Sequence, residues 1–245
     1  MKAFLIIYSI LFISLKCNSQ VIYHEDSIQK LKFQLNKPLR TALRVSMPLI
    51  VVGYISSGNK LIINKYEFKE ERDKKFYGFH TQIDNYLQYA SIAALYSMYA
   101  AGMRSKHSIG FQTKALIKSE LLMTALVTSL KTITHVIRPD SSAYNSFPSG
   151  HVAQAFLGAE ILRKEYGSEH PWIVVGGYVT ATAVGALRML NNKHWLPDVI
   201  AGAGVGILSV NLIYCTQKIK PLNKKVTFSP TYSGKQPGFY MAYNF

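Results

Sequence analysis

The 245-residue chain is poor in cysteine and in acid. Two cysteines, Cys17 and Cys215, exclude a disulfide framework and a cysteine-rich zinc site. Only 13 Asp and Glu stand against 28 Lys and Arg, a formal charge of +15 with His neutral. Charged residues make up 17% and hydrophobic ones 49%, which excludes a polar or acidic disordered chain. There is no H-E-x-x-H pair, no Walker loop and no G-x-G-x-x-G run, so neither a zinc-peptidase pair nor a nucleotide-phosphate cradle is signalled. Internal repeats and low-complexity segments are also missing. What is there in excess is positive charge, and that points to phosphate: nucleic acid, anionic lipid or a phosphorylated substrate.

Residues 1–20 (MKAFLIIYSILFISLKCNSQ) have the layout of a secretory signal: a basic start, an apolar stretch and a polar exit. Lys16 before Cys17 is a poor match to the small residue that lipidation prefers. An exported chain seldom meets nucleic acid, which leaves lipid or a small phosphorylated compound as the partner. Three stretches run without charge: 86–103, 171–187 and 199–217. They meet or approach the length of a membrane-crossing helix and are rich in Gly, Ala and Ser, which suits close helix packing in lipid. Shorter apolar runs lie at 45–59 and 121–130, and the charged stretch 60–75 reads as a solvated loop or surface helix. A soluble helical bundle is the competing reading of the same runs. The expected organisation is a signal at 1–20, an N-terminal segment at 21–40, a helical domain at 41–217 and a tail at 218–245. The tail opens with a basic cluster, and its two β-prone runs flanking Ser-Gly-Lys-Gln-Pro-Gly read as a hairpin.

Residues suited to chemistry fall in three places. Lys131 and Arg138 are seven apart, close to two helical turns, with Pro139 expected to end that helix. In Pro148-Ser149-Gly150-His151, Ser149 can cap a new helix, Gly150 lets backbone approach a ligand, and free N–H groups make an anion pocket. Arg188 ends an apolar run. His194 and Asp198 are four apart, a spacing at which a carboxylate can fix an imidazole's tautomer and raise its basicity. Each segment alone also fits a bland role: snorkelling cations, an ordinary turn, a loop histidine. Other side chains are read that way. His135 reads as packing within the Lys131 helix, His24, His80, His107 and His170 as solvated, and Tyr86, Tyr89, Tyr96 and Tyr99 as a packing stripe. Trp172 and Trp195 lie near helix ends, where an aromatic belt would place them.

Taken in order, Lys131-x6-Arg138-Pro139, Pro148-Ser149-Gly150-His151 and Arg188-x5-His194-x3-Asp198 resemble the three-part signature of the type 2 phosphatidic acid phosphatase superfamily. Its members include lipid phosphatases, soluble class A acid phosphatases and vanadium haloperoxidases. Ten fixed positions match. One departs: Leu187 stands where the family usually has Ser, which implies weaker phosphate binding at most.

The resemblance implies an all-α fold, a six-helix membrane-type bundle, with the hairpin as an addition. It implies that His194 is the nucleophile, Asp198 its orienting partner, and His151 the acid and then the base. Lys131, Arg138, Ser149, Gly150 and Arg188 would hold the phosphoryl oxygens, with no metal and no cofactor. The expected activity is hydrolysis of a lipid phosphate or pyrophosphate monoester through a phosphohistidine. A soluble periplasmic acid phosphatase for small phosphomonoesters is the rival enzyme. A non-catalytic basic membrane protein binding anionic lipid is the rival of another class. The run at 41–58 is short and holds Pro48, Gly53 and Gly58; if it lies in the interface, the site of this cell-envelope membrane protein faces the periplasm. Substrate identity and oligomeric state have no signal in the sequence.

Overall fold

The computed structural model describes residues 37–58, 64–216, 226–232 and 237–243. The signal at 1–20, most of the 21–40 segment and the basic stretch after 217 lie outside the described residues. Eight helices are found among those described: α1 Lys37–Gly58, α2 Lys65–Lys75, α3 Ile83–Leu87, α4 Ala90–Ala100, α5 Ile109–Thr134, α6 Gly150–Tyr166, α7 Pro171–Leu190 and α8 Leu196–Thr216. Two strands follow, β1 Val226–Tyr232 and β2 Pro237–Tyr243, paired antiparallel with Val226 opposite Tyr243.

The fold is all-α, and six helices (α1, α4, α5, α6, α7, α8) form the bundle. At its centre α6 packs against α4, α5, α7 and α8, and α8 packs also against α1 and α5. Both central helices are apolar on most sides, so burial all round is the arrangement that removes their surface from water. On α8 every residue from Ala201 to Leu212 is buried. Close approach of α6 and α8 depends on two glycines. A Cβ on Gly202 would lie 2.6 Å from the Ser149 carbonyl oxygen, and one on Gly206 would lie 2.3 Å from that of Ala153. Only glycine lets the two backbones meet there.

Several expectations are corrected. The uncharged run 86–103 is not one helix. It breaks at Gln88-Tyr89 into α3 and the 11-residue α4, about 16 Å long and too short to cross a bilayer. The break serves Asp84, which is 1% exposed and turned inward to bind Arg188 and Asn191. The tyrosine stripe is divided with it: Tyr86, Tyr89 and Tyr99 are exposed, while Tyr96 is partly buried with its hydroxyl 3.0 Å from that of Thr113. The Lys131 helix ends at Thr134, well before Pro139. His135 takes a left-handed conformation there (φ 45°), and its N–H donates to the Lys131 carbonyl at 3.2 Å as a C-cap. Arg138 therefore sits in a loop rather than on a helical face with Lys131. His107 is not solvated, because buried Glu165 needs donors. The His107 backbone N–H donates to it at 3.0 Å, and the ring Nδ1 lies 3.0 Å from the same carboxylate. Trp195 is buried near the site, whereas Trp172 is 83% exposed. Among the described residues two helices, α7 and α8, are long and apolar enough to cross a membrane.

Candidate active site

The three signature segments meet at one end of the bundle. The first two flank the loop 135–149 between α5 and α6, and the third spans the α7–α8 connection. These connections are tied together. The Trp195 indole N–H donates to the Ile137 carbonyl at 2.8 Å, Lys193 pairs with Asp140 at 2.6 Å, and the Ser149 N–H donates to the Asp198 carbonyl at 3.0 Å. Burial works against the Asp140 charge, but hydrogen bonds from Lys193 and Ser142 prevail and hold its carboxyl at about 2.

Asp198 lies in the first turn of α8, where the helix dipole favours a negative charge, and it is fully buried. Its Oδ2 accepts from the Ser146 hydroxyl at 2.5 Å and from the Trp195 N–H at 2.9 Å. The same oxygen lies 3.6 Å from His194 Nδ1, which is charge contact rather than a hydrogen bond. His194 is 3% exposed. Burial holds its imidazole below the usual histidine value, and the cations Lys131 and Arg188 act in the same direction against the opposing pull of Asp198.

His151 occupies the first turn of α6, with Nε2 2.9 Å from the side-chain oxygen of Asn85. Burial lowers it to about 4; Arg188, His194 and Arg138 add to that, while Asp84 opposes it. Burial and the Arg188 charge likewise lower Arg138. The Arg188 charge thus bears on Arg138, His151 and His194 alike. Lys131, in the last turn of α5, donates its ammonium to the Asn145 carbonyl on the adjoining loop.

Ser149 is the N-cap residue of α6, but its side chain makes no capping bond. Its hydroxyl oxygen is buried without a hydrogen-bond partner, as are Arg138 Nε, Arg188 Nε, His194 Nδ1 and Asp198 Oδ1. Nine buried side-chain atoms among the described residues lack partners, and these five belong to the signature. Such atoms are rare in a folded interior, and here three of them are donors, on Arg138, Ser149 and Arg188, free to meet an anion. No protein atom comes within 3.8 Å of a Cβ built on Gly150, so protein packing is not what requires glycine there. Among the described residues no group of three or more His, Cys, Asp and Glu side chains is placed to hold a metal ion.

Three contributors were not singled out in the sequence. Asp84 binds Arg188 Nη1 at 2.7 Å and Asn191 at 3.1 Å, Asn85 binds His151, and Ser146 binds Asp198. Asp84 and Asn85 sit on five-residue α3, ahead of the first signature segment. Nothing in their spacing distinguishes them from the helix cap that Asp84 resembles. Ser146 lies two residues before Pro148, where a short hydroxyl reads as loop.

A set of cations, two imidazoles and a buried carboxylate converging on unpartnered donors is suited to holding and attacking a phosphoryl group. The comparisons agree with that class. Residues 112–221 match the PAP2 superfamily, and this range holds all three signature segments. Over residues 112–221 the chain is similar to this superfamily of type 2 phosphatidic acid phosphatases.

Over 182 residues it is 38% identical to a lipid A 1-phosphatase of Porphyromonas gingivalis, an alignment covering 73% of this chain and 39% of that protein. The chain thus spans about two fifths of the length of this curated relative. A crystal structure of Aquifex aeolicus LpxE aligns with a TM-score of 0.46 and 24% identity, over 60% of this chain and 93% of that one.

Proposed function

We propose that the chain is a metal-independent phosphatase that removes a phosphoryl group from a phosphorylated lipid through a phosphohistidine. The observation that carries this is three unpartnered buried donors, on Arg138, Ser149 and Arg188, in the same signature as the buried His194–Asp198 pair. The name of the Porphyromonas relative points to a lipid as the substrate class.

In the proposed mechanism, His194 attacks phosphorus with one ring nitrogen while Asp198 steadies the other and the positive charge that develops. Lys131, Arg138, Arg188, the Ser149 hydroxyl and the Gly150 N–H hold the phosphoryl oxygens as charge spreads over them. His151 protonates the leaving oxygen, then takes a proton from the water that cleaves the phosphohistidine. In the free protein His151 is neutral at pH 7. A bound phosphate dianion changes the sign of the local field and raises its pKa, which supplies the proton this role needs.

The apolar α7 and α8 support the reading of a cell-envelope membrane protein, and in this proposal the site faces the periplasm. Phosphate release from a panel of lipid phosphates and pyrophosphates, set against a water-soluble ester, tests this reading. Release from at least one lipid, unaffected by EDTA and inhibited by vanadate, is the expected result. Release from the soluble ester alone favours a soluble-type acid phosphatase. Release from neither substrate class contradicts catalysis. A membrane-impermeant thiol reagent on a cysteine introduced into the 138–148 loop tests the orientation; a loop that stays unlabelled in intact cells overturns it.

A further inference from the structure

A cavity opens beside His194, on the side facing α2, with a volume of about 350 Å³. That is within the roughly 300–1,000 Å³ common for small-molecule sites. Two of the three signature segments border it: Pro139 ends the first, and Met189 and His194 lie within the third. The opposite wall comes from Phe68 and Phe76 on and just after α2.

This wall is held in place from both ends. Arg72 donates to the Leu190 carbonyl through Nε at 2.9 Å and Nη2 at 2.8 Å. Lys65 sits 5.2 Å over the Trp195 ring and donates to the Ser57 carbonyl at 2.7 Å. Tyr66 packs edge-on against the same ring at 5.4 Å. The helix is otherwise unburied, with no buried residue of its own. It exposes aromatic surface at Phe68 and Phe76, with Tyr77 90% exposed just beyond, among charges of both signs that pair along the helix: Lys69 with Asp73 at 3.8 Å, and Lys74 and Lys75 with Glu71 at 3.8 and 3.1 Å. Exposed aromatic groups beside a cavity suit contact with an apolar chain.

We infer that this cleft between α2 and the 189–196 segment takes an acyl chain of the lipid whose phosphoryl group sits at His194. The inference rests on the proposed lipid-phosphatase reading and names the part of the protein that recognises the tail. Apolar side chains of Phe68, Phe76, Met189 and Leu196 face the chain. α2 lies outside the superfamily match at 112–221, so this wall is contributed by a different part of the chain from the one that carries the chemistry.

The test uses the purified full chain in detergent micelles and compares dimyristoyl with dihexanoyl phosphatidic acid and with p-nitrophenyl phosphate. Phe68 is 52% exposed, so Phe68→Ala does not hollow the bundle. The expected result is a fall of about tenfold in kcat/KM on the long-chain lipid, the scale of a lost apolar contact of this size, with p-nitrophenyl phosphate hydrolysis unchanged. Ala186→Phe, which fills the cleft, should act in the same direction. Equal losses on all three substrates, or no loss on any, overturn the cleft while leaving the lipid reading intact. Wild-type protein that releases phosphate from p-nitrophenyl phosphate but from neither lipid overturns both.

A second measurement does not depend on turnover. In a Trp172→Phe background, a phosphonate analogue with a brominated acyl chain should quench Trp195 fluorescence. Absence of quenching by an analogue that inhibits competitively contradicts the proposed path of the chain.

Discussion

The two ends of α6 both bury charge, and they treat it in opposite ways. His151 and Glu165 are about 21 Å apart along the helix. At the far end, each buried carboxylate is saturated. Glu160 accepts from Arg163 at 2.8 and 2.5 Å, from Asn211 at 2.8 Å and from the Tyr178 hydroxyl. Glu165 accepts from the Tyr214 hydroxyl at 2.6 Å and from the backbone N–H of His107, with the His107 ring beside it. At the near end Arg138, Arg188, His194, Asp198 and Ser149 each keep a buried atom with no partner. A satisfied network adds rigidity, whereas an unsatisfied one keeps its interaction energy for something that binds. Buried charge alone therefore does not identify a site; Tyr166 and Gln112 at the far end each keep one unpartnered atom too, and what marks the near end is the gathering of such atoms on charged signature residues.

Substitutions at the two ends should separate folding from chemistry. The largest effect is expected at His194. His194→Ala should lower kcat by at least about 10³-fold, with thermal unfolding in detergent little changed. A comparable loss of stability would erase the contrast. Glu160→Ala should do the reverse. It strands Arg163, Asn211 and Tyr178 around a lost carboxylate and should cost roughly 3 kcal/mol of stability, with KM for substrate unchanged in the protein that remains folded.

Asp84 sharpens the comparison, because it is a saturated carboxylate at the unsaturated end. It fixes Arg188 without reaching the phosphoryl position, as a positioning residue. Asp84→Asn keeps the size but weakens the charge-assisted bond, and should reduce kcat/KM about tenfold. Asp84→Glu should recover part of that, and an unchanged kcat/KM in Asp84→Asn would remove Asp84 from the account.

The smallest effect is a proton. His151 lies at about 4 in the free protein and is unprotonated at pH 7, so an anion that raises its pKa makes the complex bind more protons than the free protein. Vanadate binding measured calorimetrically in buffers of different ionisation enthalpy should show proton uptake that is smaller in His151→Gln. Equal uptake in both proteins would mean that His151 does not respond to the anion.

How much of this could be read in the sequence follows from where each constraint lies. The catalytic candidates were legible because their spacing is local: His194 and Asp198 share one short connection, and Ser149-Gly150-His151 opens a helix after proline. The helical bundle was legible from long uncharged runs, with α7 and α8 near the expected bounds. Arg138 was misplaced onto a helix because the left-handed turn at His135 has no strong sequence mark; histidine is only an occasional occupant of that conformation. The run at 86–103 read as one span because a single buried carboxylate at Asp84, just before it, is indistinguishable from a cap until Arg188 is seen across from it, 104 residues later. Asn85 and Ser146 were silent for the same reason: their partners are remote, and short polar side chains are common in loops.

The account stands most directly on a covalent bond to one nitrogen. Wild-type protein mixed with ³²P-labelled lipid phosphate and quenched in alkali within a turnover should carry acid-labile, alkali-stable label on the peptide containing His194, and none should form in His194→Ala. Label on a different residue, or phosphate release from His194→Ala at the wild-type rate, would contradict it.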